Sequence, residues 1–317
     1  MMKSFRLSLV FLVSVVVLFE LIAVSHGGEL RKNFYKKTCP LAEEIVKDIT
    51  WKRVATNSSL PAKFLRMHFH DCFIRGCDGS VLLDSTANNT AEKEALPNQS
   101  LGGFDVIDEI KRKLEATCPG VVSCADILAL AARDSVSFQF NKSMWEVLTG
   151  RRDGRISRRQ EAVDNIPSAT FNFTTLKQSW ANKSGHTIGV GHCKFFSNRL
   201  YNFTGKGDAD PSLNAEYAAF LRTQCRGLSD NTTVLPQDPG SVLNFDSHYY
   251  TILKLNQGMF QSDAALMTDT QSRRLVDELV DQGTFFTKFA QSMKRMGAIE
   301  VLTGTAGEIR KKCNVVN

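Results

Sequence analysis

The stretch RMHFHDCFIRGCDGS, residues 66–80, contains two histidines, two cysteines, two aspartates and two arginines within fifteen positions. An apolar face with a proline in its first turn predicts a helix over residues 60–73. Residues four apart share a helix face, so we expect Arg66 and His70 to lie side by side and His68 to point away from both.

An arginine and a histidine one helical turn apart have a definite chemical use. A neutral imidazole can take a proton from one oxygen of a peroxide and return it to the other. A guanidinium beside it stabilises the negative charge that develops on the leaving oxygen. For an arbitrary pair at this spacing a plain surface contact is commoner, so both interpretations stay open on these residues alone.

The turn after this helix offers hard oxygen atoms: the side chains of Asp71, Asp78 and Ser80 and the carbonyls of Ile74 and Gly76. This set suits calcium, although its spacing is not that of an EF-hand, and a solvated acidic turn would have the same composition. Zinc is disfavoured, because the two histidines point apart and the two cysteines of an exported chain are expected to be oxidised.

The N-terminus predicts export. Lys3 and Arg6 precede an apolar run over residues 7–24, and small residues follow up to Gly27. We therefore expect a signal peptide over residues 1–27 and one domain over residues 28–317. A membrane anchor is the alternative, but a glutamate inside the run and the cysteines after it favour secretion, with no membrane association after cleavage.

Cysteines, glycosylation sequons and charge agree with an extracellular protein. The eight cysteines form an even set that predicts disulfides, with 105 pairings open on the sequence alone. Eight sequons, which predict a glycoprotein, begin at Asn57, Asn88, Asn98, Asn141, Asn172, Asn182, Asn202 and Asn231. The net charge of +6 is mild and suits an anionic matrix, while no basic patch interleaved with aromatic residues points to nucleic acid.

Helical periodicity dominates the rest of the chain. It is clear over residues 104–117, over the almost wholly apolar residues 123–136, and over RRLVDELV and FFTKFAQSMKRMGAI, which Gly283 separates. Alternating strand patterns are scarce. The sequence therefore predicts a mostly α protein.

Several segments in the same order resemble secreted plant (class III) haem peroxidases over nearly the whole mature chain. Besides residues 66–80 they are FYKKTCP (34–40), AEKEALPN (91–98), CPGVVSCADILALAARD (118–134), GRRDGR (150–155), HTIGVGHC (186–193), FDSHYY (245–250) and QSD (261–263). The resemblance implies the haem peroxidase fold, in which helices of a distal and a proximal half sandwich haem b.

On the distal side the resemblance implies that Arg66 and His70 cleave hydrogen peroxide and that Asn98 hydrogen-bonds His70, which makes a glycan at Asn98 improbable. Phe69 would line the haem pocket, and the carbonyl of Pro167 would meet aromatic donors. Glu92 would support Asn98 and, through water, a distal calcium. The implied ligands of that calcium are Asp71, Ile74, Gly76, Asp78 and Ser80.

On the proximal side the resemblance implies His186 as the iron ligand and Asp263 as the acceptor of its Nδ1 proton. Asp126 would pair with Arg151 or Arg152. A second calcium would bind Thr187, Asp238, Ser241, Asn244 and Asp246. The implied disulfides are Cys39–Cys118, Cys72–Cys77, Cys124–Cys313 and Cys193–Cys225.

The chain departs from the family just before His186. Between the equivalents of Lys183 and His186 roughly a dozen residues are missing, about three helical turns. In one interpretation His186 moves to the start of a shortened proximal helix and still reaches the iron. In the other the ligand is misplaced, and the chain is an impaired or inactive secreted isoform of the same fold.

Three functions follow as hypotheses. The first is a monomeric haem peroxidase that uses hydrogen peroxide and phenolic donors, with cell-wall polysaccharide as a candidate partner. The second is a non-catalytic secreted glycoprotein, and the third is a calcium or zinc module without haem. The chain ends four residues after Cys313, so we expect the cell wall or apoplast rather than the vacuole.

Overall fold

The structure is a computed structural model that describes residues 30–178 and 186–317, without the side chains of residues 176–178. The predicted leader, residues 1–27, lies outside the described residues. So does the chain between Lys183 and His186, where the shortened segment was expected.

Helices make up most of the regular structure, as the sequence predicted. The α-helices are α1 Ala42–Thr56, α2 Leu60–Cys72, α3 Phe104–Thr117, α4 Cys124–Ser137, α5 Arg159–Asn165, α6 Phe173–Gln178, α7 Ser197–Tyr201, α8 Ala215–Gln224, α9 His248–Lys254, α10 Gln261–Ala265, α11 Thr270–Leu279 and α12 Gln282–Met296. In the described part of the chain, no helix is both long enough and apolar enough to cross a membrane.

Local sequence explains where these helices begin. The hydroxyl of Ser123 accepts the amide of Asp126 at 3.1 Å and caps α4, a helix whose residues are all buried. Asp281 caps α12 by accepting the amide of Thr284 at 2.8 Å. Gly283 therefore lies inside α12, and the prediction that it separates the last two helices was wrong because the aspartate cap sets the boundary.

The core fixes the helix that carries Arg66 and His70. Helix α4 packs against α1, α2 and α3. Phe64 and Met67 of α2 are wholly buried in this core, which extends to Tyr249 and Phe285 in the C-terminal half. Burial of these two side chains fixes the rotation of α2 about its axis, and with it the positions of Arg66 and His70.

A two-stranded antiparallel sheet follows His186 directly. Strand β1, Val190–His192, pairs with β2, Val234–Pro236, and places Gly191 opposite Leu235. Residues 186–189 are not helical, so the expectation that His186 starts a shortened helix is wrong for the described residues. The chain instead turns here into a strand whose partner lies more than forty residues away.

Four disulfides join the pairs that the family resemblance implies. They are Cys39–Cys118, Cys72–Cys77, Cys124–Cys313 and Cys193–Cys225. The last one sits in a separate small core beneath β1, together with Leu221, Leu235 and Phe260.

Candidate active site

One loop holds the arginine of the distal helix. The guanidinium of Arg66 donates to the carbonyl of Pro97 at 2.5 Å and to the hydroxyl of Ser100 at 2.8 Å. Burial lowers the pKa of Arg66 to about 10, so the group stays charged at neutral pH. These contacts fix the guanidinium beside the histidine one turn further along α2.

The same loop holds His70 through Asn98. Nδ1 of His70 lies 2.5 Å from Oδ1 of Asn98, whose amide nitrogen donates to the carbonyl of Glu92 at 2.8 Å. An amide oxygen only accepts, so Nδ1 carries the hydrogen and Nε2 is left with its lone pair. Burial, assisted by Arg66 and opposed by Asn98, lowers the pKa of His70 to about 3. The imidazole is therefore neutral and able to act as a base.

His68 takes no part in this arrangement, as the helix geometry predicted. It is buried on the other side of α2, where burial and Arg151 lower its pKa to about 3. His68, Cys72 and Cys77 lie within 4.8 Å of one another, a spacing that could suit a metal. The two sulfur atoms are bonded to each other, however, so no thiolate is available for zinc.

The turn after α2 gathers buried carboxylates. Asp71 accepts the amides of Gly79 at 3.0 Å and Val81 at 3.4 Å, and Asp78 accepts the amide of Ser80 at 2.9 Å. The turn also needs Gly76: its φ is +79°, and a Cβ there would lie 2.5 Å from the carbonyl oxygen of Glu300.

This carboxylate cluster fits a cation. Both carboxylate oxygens of Glu92 and the hydroxyl of Ser80 are buried without a hydrogen-bond partner among the described residues. Burial, then the charge of Asp71, raises the pKa of Glu92 to about 9. Burial and Asp78 likewise raise the pKa of Asp71. Hard, unpaired oxygens with mutual repulsion are the donor set that calcium stabilises.

On the proximal side His186 meets a buried aspartate. Nδ1 of His186 lies 2.7 Å from Oδ1 of Asp263. The other oxygen, Oδ2, accepts the amide of Phe260 at 2.8 Å, and the Phe260 ring packs against the imidazole. Burial alone would raise the pKa of Asp263, but His186 and these hydrogen bonds outweigh it and lower the pKa. Asp263 therefore stays ionised and fixes Nδ1–H of His186, which leaves the lone pair of Nε2 able to bind a metal.

A second oxygen cluster lies next to His186. The hydroxyl of Thr187 donates to the carbonyl of Asp246 at 2.5 Å, and the hydroxyl of Ser241 donates to the Asp246 carboxylate. Asp238 is wholly buried, with one oxygen 2.5 Å from Nδ1 of His248 and the other without a hydrogen-bond partner among the described residues. An unpaired buried carboxylate oxygen beside hydroxyls also fits calcium. The backbone amide of Asn244 donates to the backbone carbonyl of Ser241 at 3.2 Å, in the turn of this cluster.

The segment around Pro167 connects the two sides. Ile166 packs against Ala95, in the loop that carries Asn98. The carbonyl of Ala169 accepts the amide of Ser262 at 3.0 Å, one residue before the proximal aspartate. Pro167 thus lies in the segment that connects the distal loop to the proximal half. Phe69 is half-buried, with its ring centroid 5.4 Å from that of His70.

Sequence reasoning missed two residues that shape the proximal side. The hydroxyl of Tyr249 donates to Oδ1 of Asp263 at 2.8 Å. Arg199, 1% exposed, binds Asp210 at 2.6 Å and the carbonyls of residues 258, 259 and 260 at 2.8 to 2.9 Å. Neither role has a periodic or spacing signal, because both depend on contacts between distant segments. Arg151, by contrast, pairs with Asp126 at 2.6 Å as the resemblance implied.

Comparison with known proteins identifies the class. Residues 46–282 match the model of the peroxidase family. The chain is 50% identical to Peroxidase 24 of Arabidopsis thaliana, over 92% of this chain and 88% of the relative. It is 50% identical to Peroxidase 27 of the same plant, over 96% and 98%, and 47% identical to Peroxidase 1 of Oryza sativa subsp. japonica, over 93% and 95%.

The chain therefore belongs to the peroxidase family, with the plant class III peroxidases. It has the mostly helical fold of a haem peroxidase and the function of a peroxidase, an oxidoreductase with a haem-type cofactor, hydrogen peroxide and a donor as substrates. The residues present fit that cofactor. Two histidines each have Nδ1 engaged by a side-chain oxygen, and Nε2 of neither hydrogen-bonds any described residue.

Proposed function

We propose that this chain is a haem b peroxidase in which Arg66, His70 and Asn98 act on hydrogen peroxide and His186 is the axial ligand. The observation that carries the proposal is that the two histidines have different hydrogen-bond partners at Nδ1. His70 is held by a neutral amide and stays a base, whereas His186 is held by a carboxylate and becomes an electron-rich ligand.

On the distal side His70 moves the proton. Its Nε2 takes the proton from the nearer peroxide oxygen and delivers it to the farther one, which then leaves as water. Arg66 stabilises the negative charge on the leaving oxygen, and its contacts with Pro97 and Ser100 keep it in place for this. Phe69 would border the haem on this side.

On the proximal side Asp263 and His186 tune the cofactor. When bound, haem supplies the iron that stores the oxidising equivalents taken from peroxide. Nε2 of His186 would ligate that iron, and Asp263 would strengthen its electron donation by accepting the Nδ1 hydrogen. This hydrogen bond supports an active enzyme over the impaired isoform that the shortened segment suggests.

Two calcium ions would stabilise the structure, one on the distal side and one on the proximal side. The first would bind Asp71, Asp78 and Ser80 with the carbonyls of Ile74 and Gly76, and Glu92 would take part through water. The second would bind Thr187, Asp238, Ser241, Asn244 and Asp246. The unpaired buried oxygens in both clusters support this assignment.

The remaining proposals concern substrates and location. Phenolic donors would meet the cofactor near the carbonyl of Pro167. We further propose that residues 1–27 are a signal peptide, that residues 28–317 form one domain, and that the monomeric glycoprotein acts in the cell wall or apoplast, where polysaccharide would retain it.

Oxidation of a phenolic donor such as guaiacol tests this function. We expect the haem-loaded chain to be active, and we expect His70→Leu and Arg66→Leu to lose about 100- to 10,000-fold in rate. Arg159→Leu, at an exposed position, is the control and should keep full activity. A chain that binds haem but does not oxidise the donor would favour the impaired isoform.

A further inference from the structure

Two donors share one oxygen of the proximal aspartate. Oδ1 of Asp263 accepts Nδ1–H of His186 at 2.7 Å and the hydroxyl of Tyr249 at 2.8 Å. Tyr249 is 0% exposed, so water does not compete with this phenol. The hydroxyl of Tyr249 is thus a second hydrogen-bond donor to the same oxygen, Oδ1 of Asp263, that accepts from His186.

The shared oxygen weakens the bond to histidine. A hydrogen bond from the phenol draws electron density from Oδ1 and stabilises the ionised carboxylate. Oδ1 is then a weaker acceptor for Nδ1–H, and the imidazole gains less anionic character. Less electron donation to the iron stabilises its reduced form and raises its reduction potential.

Resting on the proposed function, we propose that Tyr249 is a positioning residue that limits electron donation by His186 through Asp263 and so sets the reduction potential of the bound haem. The imidazole and phenol rings also meet edge to face, with centroids 6.0 Å apart, which holds the phenol where it competes for Oδ1. Asp263 strengthens the ligand, and Tyr249 limits that effect.

The next residue of α9 provides a matched control. Tyr250 is also buried and packs its ring against those of Tyr249 and Phe285. Its hydroxyl hydrogen-bonds none of the described residues, and burial alone raises its pKa. Tyr250→Phe therefore removes a buried tyrosine hydroxyl from the same helix but leaves the hydrogen bonds of Asp263 intact.

The test measures the haem-loaded wild type, Tyr249→Phe and Tyr250→Phe. Two readouts are needed: the midpoint potential of the iron and its iron–histidine stretching frequency in the reduced state. We expect Tyr249→Phe to lower the potential and raise the frequency, and Tyr250→Phe to leave both unchanged. In an Asp263→Ala background, Tyr249→Phe should have no further effect of this kind, because the oxygen that both groups share is gone.

Each other outcome overturns the proposal. An unchanged or raised potential in Tyr249→Phe would show that the phenol does not limit donation. Equal shifts in both variants would show a general packing effect. If only Tyr249→Phe failed to take up haem, Tyr249 would be a structural residue. If the wild type itself failed to take up haem, the proposed function would fall as well, so the two failures are distinguishable.

Discussion

Nδ1 of His70 lies 2.5 Å from Oδ1 of Asn98, and the amide of Asn98 lies 2.8 Å from the carbonyl of Glu92. One polar chain therefore runs from the distal base to the residue whose carboxylate faces the buried acidic cluster. The side chain of Asn98 therefore fixes both the tautomer of His70 and the position of the Glu92 backbone beside that cluster.

Removal of the amide should slow the reaction with peroxide. Asn98→Val keeps the bulk of the side chain but leaves Nδ1–H of His70 without its acceptor, so the imidazole is no longer held as an oriented base. We expect the second-order rate constant with hydrogen peroxide, measured by stopped flow, to fall by about 10- to 100-fold. Asn88→Gln, at an exposed position, is the control, and an equal loss in both variants would contradict the role of Asn98.

The rate of the peroxide reaction should be insensitive to mild acid. His70 acts as a base only when neutral, and its pKa is lowered to about 3 from an ordinary value of about 6.5. We expect a flat rate from neutral pH down to about pH 4 and a loss centred near pH 3. A midpoint near 6.5 would contradict the buried, amide-bound state of His70.

That pH experiment needs a parallel measurement of folding. His68 and His70 are both neutral in the fold, while the unfolded chain binds protons below about pH 6.5. Stability therefore falls as pH drops from about 6.5 towards 3, by up to about 1.4 kcal/mol per pH unit for each histidine. Far-UV circular dichroism at each pH separates unfolding from protonation of the base.

Calcium binding should release protons at neutral pH. The pKa of Glu92 is raised to about 9 without a cation, so the carboxyl group is protonated at pH 7 and must lose that proton when calcium joins the cluster. Titration calorimetry of the calcium-depleted protein in buffers of different ionisation enthalpy measures this release. Glu92→Gln should release less, and heats that do not depend on the buffer would contradict a calcium site at Glu92.

The sequon at Asn98 should carry no glycan. Asn98 is 2% exposed, and its side-chain amide is hydrogen-bonded to His70 and to the carbonyl of Glu92. A glycan attached to this nitrogen would therefore not fit the fold. Glycopeptide mass spectrometry of protein from a eukaryotic host should find Asn98 unmodified. The exposed Asn57 and Asn202 should be at least partly occupied, and a glycan at Asn98 would refute this geometry.

Arg199 should be essential for the fold of the proximal half. Arg199→Met leaves the buried carboxylate of Asp210 without its cation and the carbonyls of residues 258 and 259 without a donor, while the carbonyl of Phe260 keeps two backbone amides. We expect a loss of about 3 to 5 kcal/mol in the free energy of unfolding, measured by denaturant titration. The exposed Arg159→Met should change it by less than about 0.5 kcal/mol, and a similar small change for Arg199→Met would contradict its role.

The distal half was largely predictable from sequence because its geometry is local. Helical periodicity placed Arg66 beside His70 and turned His68 away, and the structure has both features. The capping serine and the apolar run likewise define α4 without reference to distant residues. The partners of these residues, such as Ser100, come from other segments and have no local signal.

The proximal half was less predictable because its contacts are long-range. The pairing of β1 with β2 turns the residues after His186 into an extended segment, although the family pattern suggested a helix start. Tyr249 reaches Asp263 across fourteen residues, and Arg199 reaches Phe260 across sixty-one. The family resemblance supplied His186 and Asp263 but gave no reason to single out Tyr249.

The most direct test of the central claim is the absorption spectrum of the chain after reconstitution with haem b. We expect a Soret band that shifts on addition of one equivalent of hydrogen peroxide, and we expect His186→Ala to lose the wild-type Soret band while keeping the four disulfides and the helical circular dichroism. Absence of a Soret band in the wild type, or a band that does not respond to peroxide, would contradict the account.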